Sequence, residues 1–277
     1  MRTNDVRWRK HGASSRSPGD FRMIVQIYEI QTPEEAEKCI ALGVDHIGSV
    51  ILSGEAWRRP KIREVIRLSQ GTSVMNSLIP LFRDIDIISR VVDYYRPHYV
   101  HFCDALSNPS PRKGDLAPFI QLQVEFKKRF PEIGIMRSIP VPEQGFSGDF
   151  TALEIVSALE PVSDLFLVDT WTPAAPVQGF IGITGKTVDW EKARDLCRST
   201  HIPVVLAGGL SPNNVCEAIL KVMPVGADSC TQTNAEDKNG NPVRFKKDFR
   251  KVEAFVKEVR HAEKLIGKLG VCEKTRE

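Results

Sequence analysis

From residue 23 onward the chain alternates between two hydrophobic patterns. Apolar runs of four to seven residues occur at 24–28, 46–52, 74–80, 99–103, 133–139, 165–168, 203–206 and 227–230. Each is followed by a stretch whose apolar positions recur every three or four residues, at 33–41, 60–69, 85–95, 117–130, 151–159, 189–199, 212–222 and 245–266. Short continuous apolar runs suit strands buried on both faces, and the 3.6-residue period suits helices packed on them. Pro33, Pro60 and Pro212 fall in predicted first helical turns, where a missing N–H costs nothing. Eight such units without a break in topology predict an α/β protein, a single (β/α)8 TIM barrel, because closure leaves no strand edge unpaired.

Length fits that architecture: 277 residues against the ~250 that such a barrel typically takes. No linker divides the chain, and the Pro- and Ser-containing run at 105–114 reads as a loop on the site face. The expected organisation is a basic, disordered arm over 1–22, a barrel over 23–268 and a frayed, charged tail over 269–277. The arm carries six basic and two acidic side chains, a charge of +4 against +3 for the whole chain, so the body is nearly neutral at −1. That balance gives no reason to expect a nucleic-acid partner. The arm lacks an apolar segment and is expected to be dispensable for folding and catalysis, Met23 standing directly before the first strand.

Six cysteines are scattered without a CxxC pair, so neither a structural zinc nor a disulfide framework is expected, and free thiols suit a cytoplasmic location. No apolar run approaches ~18 residues, so no membrane span is expected. No cofactor is implied.

Chemistry concentrates between residues 164 and 211. The sixth strand ends at Asp169, and a Gly-, Pro- and Thr-rich loop leads to Gly182-Ile183-Thr184-Gly185-Lys186-Thr187-Val188-Asp189-Trp190. The seventh strand runs into Leu206-Ala207-Gly208-Gly209-Leu210-Ser211. Ligands of parallel α/β folds gather at such strand ends. Gly208 and Gly209 let the backbone approach an anion, Ser211 is a candidate N-cap, and the free N–H groups of the following helix attract phosphate. Cys230 and Thr231 in the eighth turn add donors. Each feature has a structural alternative: Asp169 as a cap or ion pair, the glycines as tight-turn residues.

The acid-ended strand, the GGTGKTFDW-like loop and the LAGGL-like turn, in that order, resemble phosphoribosylanthranilate isomerases. The likeness extends more thinly from about Ile24 to Phe255. It implies a phosphosugar isomerase of tryptophan biosynthesis that performs an Amadori rearrangement, with Asp169 as the general acid that opens the furanose ring. It also implies a small phosphorylated substrate and a monomer or homodimer. The family's general base is a Cys in a KICG-like motif; here the motif reads Gln26-Ile27-Tyr28-Glu29, so Tyr28 stands in its place. A phenol of pKa ~10 is a poor base at neutral pH, which leaves Tyr28 as a wall, a donor or a shifted base. Glu29 is a possible replacement. Cys103, two residues beyond His101 on one strand face, is a further candidate, either as an activated thiol or as simple packing. The resemblance places an Arg near Arg58 to hold the anthranilate carboxylate, with a solvated loop pair of Arg58 and Arg59 as the alternative. Gly179, Gly182 and Gly185 are hinges by which the sixth loop can close over the ligand, and Lys186 is an anion contact or simply solvated; Arg83 and Arg137 are further anion candidates. Two other functions stay open: an isomerase, epimerase or lyase of the same barrel type with altered chemistry, and a phospho-ligand binder without catalysis.

Overall fold

The computed structural model describes residues 22–106, 113–146, 152–173 and 176–274. The expectation for 1–21 and for 275–277 lies outside the described residues. Eight parallel strands close into a barrel in sequence order: β1 (Ile24–Ile27), β2 (His46–Ile51), β3 (Met75–Pro80), β4 (Tyr99–Phe102), β5 (Gly134–Pro142), β6 (Leu165–Trp171), β7 (Val204–Leu206) and β8 (Gly226–Ser229). Helices α1 (Pro33–Ala41), α2 (Pro60–Ser69), α3 (Ile85–Tyr95), α4 (Ala117–Arg129), α5 (Ala152–Leu159), α6 (Trp190–Ser199), α7 (Val215–Val222) and α8 (Phe249–Lys274) form the outer ring. Every residue of β2 and β5 is buried, as expected for strands facing the interior on one side and helices on the other.

Local signals set the helix starts. Asp84 caps α3 by accepting from the N–H groups of Asp86 and Ile87, and Asp189 caps α6 by accepting from Glu191 and Lys192. Ser211 does not cap a helix. Its Oγ accepts from Asn213 N–H at 3.2 Å, residues 212–214 form a turn, and α7 begins at Val215. Strand β6 also runs past its predicted end to Trp171, because β5 continues beside it and pairs Pro140 with Asp169 and Pro142 with Trp171. Asp169 therefore lies within a strand rather than just after one.

A hairpin replaces the predicted start of the last helix. β9 (Asn234–Glu236) and β10 (Pro242–Lys247) pair antiparallel, and α8 follows from Phe249 to Lys274. Asp237 builds the turn, accepting from the N–H groups of Asn239 and Asn241, with Gly240 at φ +82°. The hairpin is tied to the barrel through Glu29. This residue has a left-handed φ of 62°, uncommon outside glycine, and is buried. Its carboxylate accepts from Arg244 Nε at 2.8 Å, Phe245 N–H at 3.2 Å and Asn234 Nδ2 at 3.4 Å. Lys247, also buried, donates to Asn234 Oδ1 and to the Cys230 carbonyl.

The barrel interior is a mixed core. Tyr28, Val50, Met136, Leu167 and Val205 pack together. The Tyr28 hydroxyl lies 2.5 Å from Ser77 Oγ and 2.6 Å from His101 Nδ1, and His101 Nε2 lies 2.7 Å from Ser138 Oγ. A β-carbon added at Gly48 would fall onto the Tyr28 ring. Gly48→Ala is therefore expected to destabilise the protein by about 1–3 kcal/mol through overpacking, read as a lowered urea midpoint at unchanged m-value. A midpoint equal to wild type would show that the ring has another place to go.

Candidate active site

The carboxyl-terminal ends of the strands form one mouth, roofed by the loop between β6 and α6. This loop is bonded to four neighbours. Ile181 N–H donates to the Cys103 carbonyl at 2.9 Å, and Ala105 N–H donates to Gly179 O at 2.9 Å. Thr170 Oγ1 donates to Lys186 O at 2.5 Å, and Gln232 Nε2 donates to Gly185 O at 2.9 Å. Lys186 is exposed and pairs with Glu143 at 3.0 Å. The glycines are required by contact. At Gly182 (φ +101°) a β-carbon would lie 2.5 Å from Asp169 Oδ2, and at Gly209 (φ +60°) it would lie 2.5 Å from the Lys186 carbonyl carbon. At Gly208 it would strike the Thr170 hydroxyl. Ile183, a β-branched residue at φ 63°, holds a strained conformation beside Asp169.

Two connected spaces open under this roof. A cleft of about 390 Å³ is lined by Glu143, Gln144, Gly185, Lys186, Thr187, Gly209, Ser211, Asn214 and Gln232. Asn214 braces its floor, donating to Gly209 O at 3.1 Å and accepting from Ser211 N–H at 2.8 Å. A smaller inner pocket shares Gly185, Gly209 and Gln232 with the cleft and reaches Asp169, Gly208, Asp228, Cys230 and Thr231. The size and polarity of the outer cleft suit a phosphorylated group, and the inner pocket presents acid–base side chains.

Asp169 is the more accessible of two inner carboxyls. Its Oδ1 accepts from Thr170 N–H at 2.7 Å, yet burial lifts its pKa from the usual carboxylate range to about 6. Asp228, at the interior face of β8, accepts from Gln26 Nε2 at 3.1 Å; burial, with the charge of Asp169 nearby, lifts it to about 8. Asp228 was not among the sequence candidates. The available signal was alternation: it lies two residues before Cys230 and so shares the interior face.

The other candidates divide. Tyr28 points into the barrel beneath the mouth, and burial raises its pKa well above 10, so its hydroxyl stays protonated. Cys103 is buried and its thiol is pushed up, with no imidazole to activate it: both His101 nitrogens are engaged by Tyr28 and Ser138, and burial lowers that imidazole to about 3. Cys230 is likewise pushed up by burial. Glu29 is occupied by the hairpin. Arg58 is exposed, stacks on Trp57 at 5.0 Å and does not line either space. Arg137 is buried outside the barrel sheet against Phe119 and, with Arg83, is bound to Asp104. Among the described residues no cluster of three His, Cys, Asp or Glu side chains could hold a metal ion.

Residues 123–258 match the family model described as N-(5'phosphoribosyl)anthranilate (PRA) isomerase. The N-(5'-phosphoribosyl)anthranilate isomerase of Methanocella arvoryzae is 31% identical over 241 residues, spanning 85% of this chain and 97% of that protein. The chain belongs to the PRA isomerase family. The PRA isomerase of Methanothrix thermoacetophila is 29% identical, over 85% of this chain and 97% of its own length. Among solved structures, the PRA isomerase of Thermotoga maritima superposes with a TM-score of 0.64 at 21% identity, covering 87% of this chain and all of that one. That of Pyrococcus furiosus gives 0.61 at 22%, with the same coverage. Both share the barrel fold. A further PRA isomerase structure, at TM-score 0.62 and 19% identity, holds reduced 1-(o-carboxyphenylamino)-1-deoxyribulose 5-phosphate.

Proposed function

We propose that the protein isomerises phosphoribosylanthranilate by an Amadori rearrangement, with the phosphate seated in the outer cleft and the ribose reaching the inner pocket. The observation that carries this is Asp169: a carboxyl lifted to about 6 stands beside a polar cleft between the turns after β5, β6, β7 and β8. A carboxyl titrating near neutrality can hold the proton that furanose opening needs. Family membership supports the substrate. Gln232, in the 3-10 turn after β8, and Gly209 line the outer cleft on the phosphate side, while Thr231 and Gly208 line the inner pocket. The described cysteines are free, which fits a reducing, cytoplasmic setting. Among the described residues no helix is long and apolar enough to cross a membrane.

The deciding experiment is turnover of phosphoribosylanthranilate by the purified full chain. Isomerisation supports the reading; no conversion at high enzyme concentration, with a phospho-ligand still bound, would favour the same barrel with another reaction. A second check addresses the cleft. Gly209→Ala forces a methyl group into the Lys186 backbone and so pushes the roof off the cleft. Affinity for inorganic phosphate is expected to fall about tenfold, near 1.4 kcal/mol, by calorimetric titration. Unchanged affinity would place the anion elsewhere.

A further inference from the structure

We propose that Asp228 is the second proton-transfer residue of this site, sharing one proton with Asp169 across the inner pocket. This rests on the isomerase reading and supplies what that reading lacks, a proton acceptor.

The first support is placement. Gln26 and Asp228 are register partners on β1 and β8, and Tyr28 N–H donates to Ser229 O at 3.2 Å. Asp228 thus stands on β8, one strand removed from β6, which carries Asp169, and both carboxyls line the inner pocket. One ligand lying in the pocket can meet both.

The second support is the partner. Gln26 is fully buried, donates through Nε2 to Asp228 Oδ1, and leaves its own carbonyl oxygen without a donor. A buried acceptor without a donor is costly. A half-turn of the amide would offer that oxygen to a protonated Asp228, and the present orientation offers N–H to the ionised form. An amide can serve both protonation states, whereas a lysine can only donate. The other groups facing Asp228 are Asp169 from β6, Tyr28 just past the end of β1, Cys230 just past the end of β8 and Lys247 from β10. Lys247 is the one cation among them, and its ammonium is spent on the Cys230 carbonyl and Asn234. Two carboxyls lining one desolvated pocket do not both ionise readily, so they titrate as a pair. The other side chains of the interior are weaker bases: the Tyr28 phenol and the Cys103 thiol are both held protonated by burial.

The proton traffic balances. The pair's one proton rests mainly on Asp228, whose carboxyl is lifted further than that of Asp169; the working form is the minor arrangement, with that proton on Asp169 and Asp228 ionised. The anilino nitrogen lone pair forms C1=N as the bond from C1 to the ring oxygen breaks, and Asp169 gives its proton to that oxygen. Asp228 takes the proton from C2, and the C–H electron pair forms C1=C2 and neutralises the nitrogen. Asp228 then returns the proton to C1 as C2=O forms, and the enol proton passes to Asp169. Both carboxyls end as they began, and no co-reactant is needed.

The test uses the full chain with phosphoribosylanthranilate. The pH profile of wild-type kcat/KM is expected to be a bell with limbs near the pair's values of about 6 and 8. Asp228→Asn should lower kcat by about 10²–10⁴-fold with little change in KM. Gln26→Lys, which sets a cation beside Asp228, should move the upper limb to lower pH, a shift that a merely structural Asp228 would not produce. Wild-type turnover with kcat and both limbs unchanged in Asp228→Asn overturns this inference and leaves the isomerase reading standing. Where wild type gives no turnover, the isomerase reading falls, and carbon-13 NMR of aspartate carboxyls decides the pair. A carboxyl that titrates well above the usual range and changes in Gln26→Lys supports proton sharing; ordinary values at both residues overturn it.

Discussion

Asp169→Asn is expected to lower turnover of phosphoribosylanthranilate by about 10²–10⁴-fold while leaving phosphate affinity near wild type. Asn keeps the shape and can still accept from Thr170 N–H, but it cannot deliver a proton to the ring oxygen. Stability provides the control. The folded pKa of Asp169 lies near 6, above the usual carboxylate value, so between the two values the folded chain binds more protons than the unfolded one. Stability from this group is therefore fully present below the unfolded pKa and declines as pH rises through 6. Asn does not ionise, so at pH above about 7 the variant should be no less stable than wild type. Chemical denaturation at two pH values, beside steady-state kinetics, separates a lost proton donor from a damaged fold. Full turnover in Asp169→Asn would remove this carboxyl from the mechanism.

The largest stability effect is expected at Asp104, not in the pocket. Arg137 is fully buried and donates through Nη1 to Asp104 Oδ2 at 2.9 Å and through Nη2 to the Asp104 carbonyl at 3.3 Å; Arg83 donates to the other carboxylate oxygen at 2.5 Å. Asp104→Ala strands the Arg137 charge away from water, at a cost of about 3–5 kcal/mol. Arg137→Met should cost much less, because Asp104 keeps Arg83 and the methionine fills the space against Phe119. Urea unfolding of the two variants measures the asymmetry. Equal losses would mean that packing, and not the stranded charge, dominates. Because Ala105 N–H and Arg83 both hold Gly179 O, Asp104→Ala should also loosen the roof of the site.

Much of this architecture is legible in the sequence because its causes are local. Buried strands and amphipathic helices announce themselves by period, and the strand ends and glycine turns locate the mouth. The misses have non-local or overridden causes. The β9–β10 hairpin was hidden by the apolar periodicity of the following helix, although Asn239-Gly240 is itself a hairpin signal. Asp169 falls inside β6 because the length of β6 is set by β5, not by its own residues. The partners of Tyr28 come from β3 and β4, and Gln26 meets Asp228 across the closure of the barrel; neither pairing follows from one strand alone. Arg58 and Arg137 have the right chemistry for an anion, but a Trp ring and a buried carboxylate hold them elsewhere.

The clasp between Glu29 and the hairpin bears on how such a chain can be rebuilt. Arg244, Phe245 and Asn234 satisfy a carboxylate that would otherwise be buried alone, on a backbone conformation that glycine would adopt freely. The hairpin is therefore not a detachable ornament. A chimera that exchanges the segment after β8 for a shorter connection inherits an orphaned acid at the opposite end of the sequence, unless position 29 is changed in the same step. The two regions are coupled through this one carboxylate, so a recombination point between them is expected to carry a penalty that neither half alone would reveal.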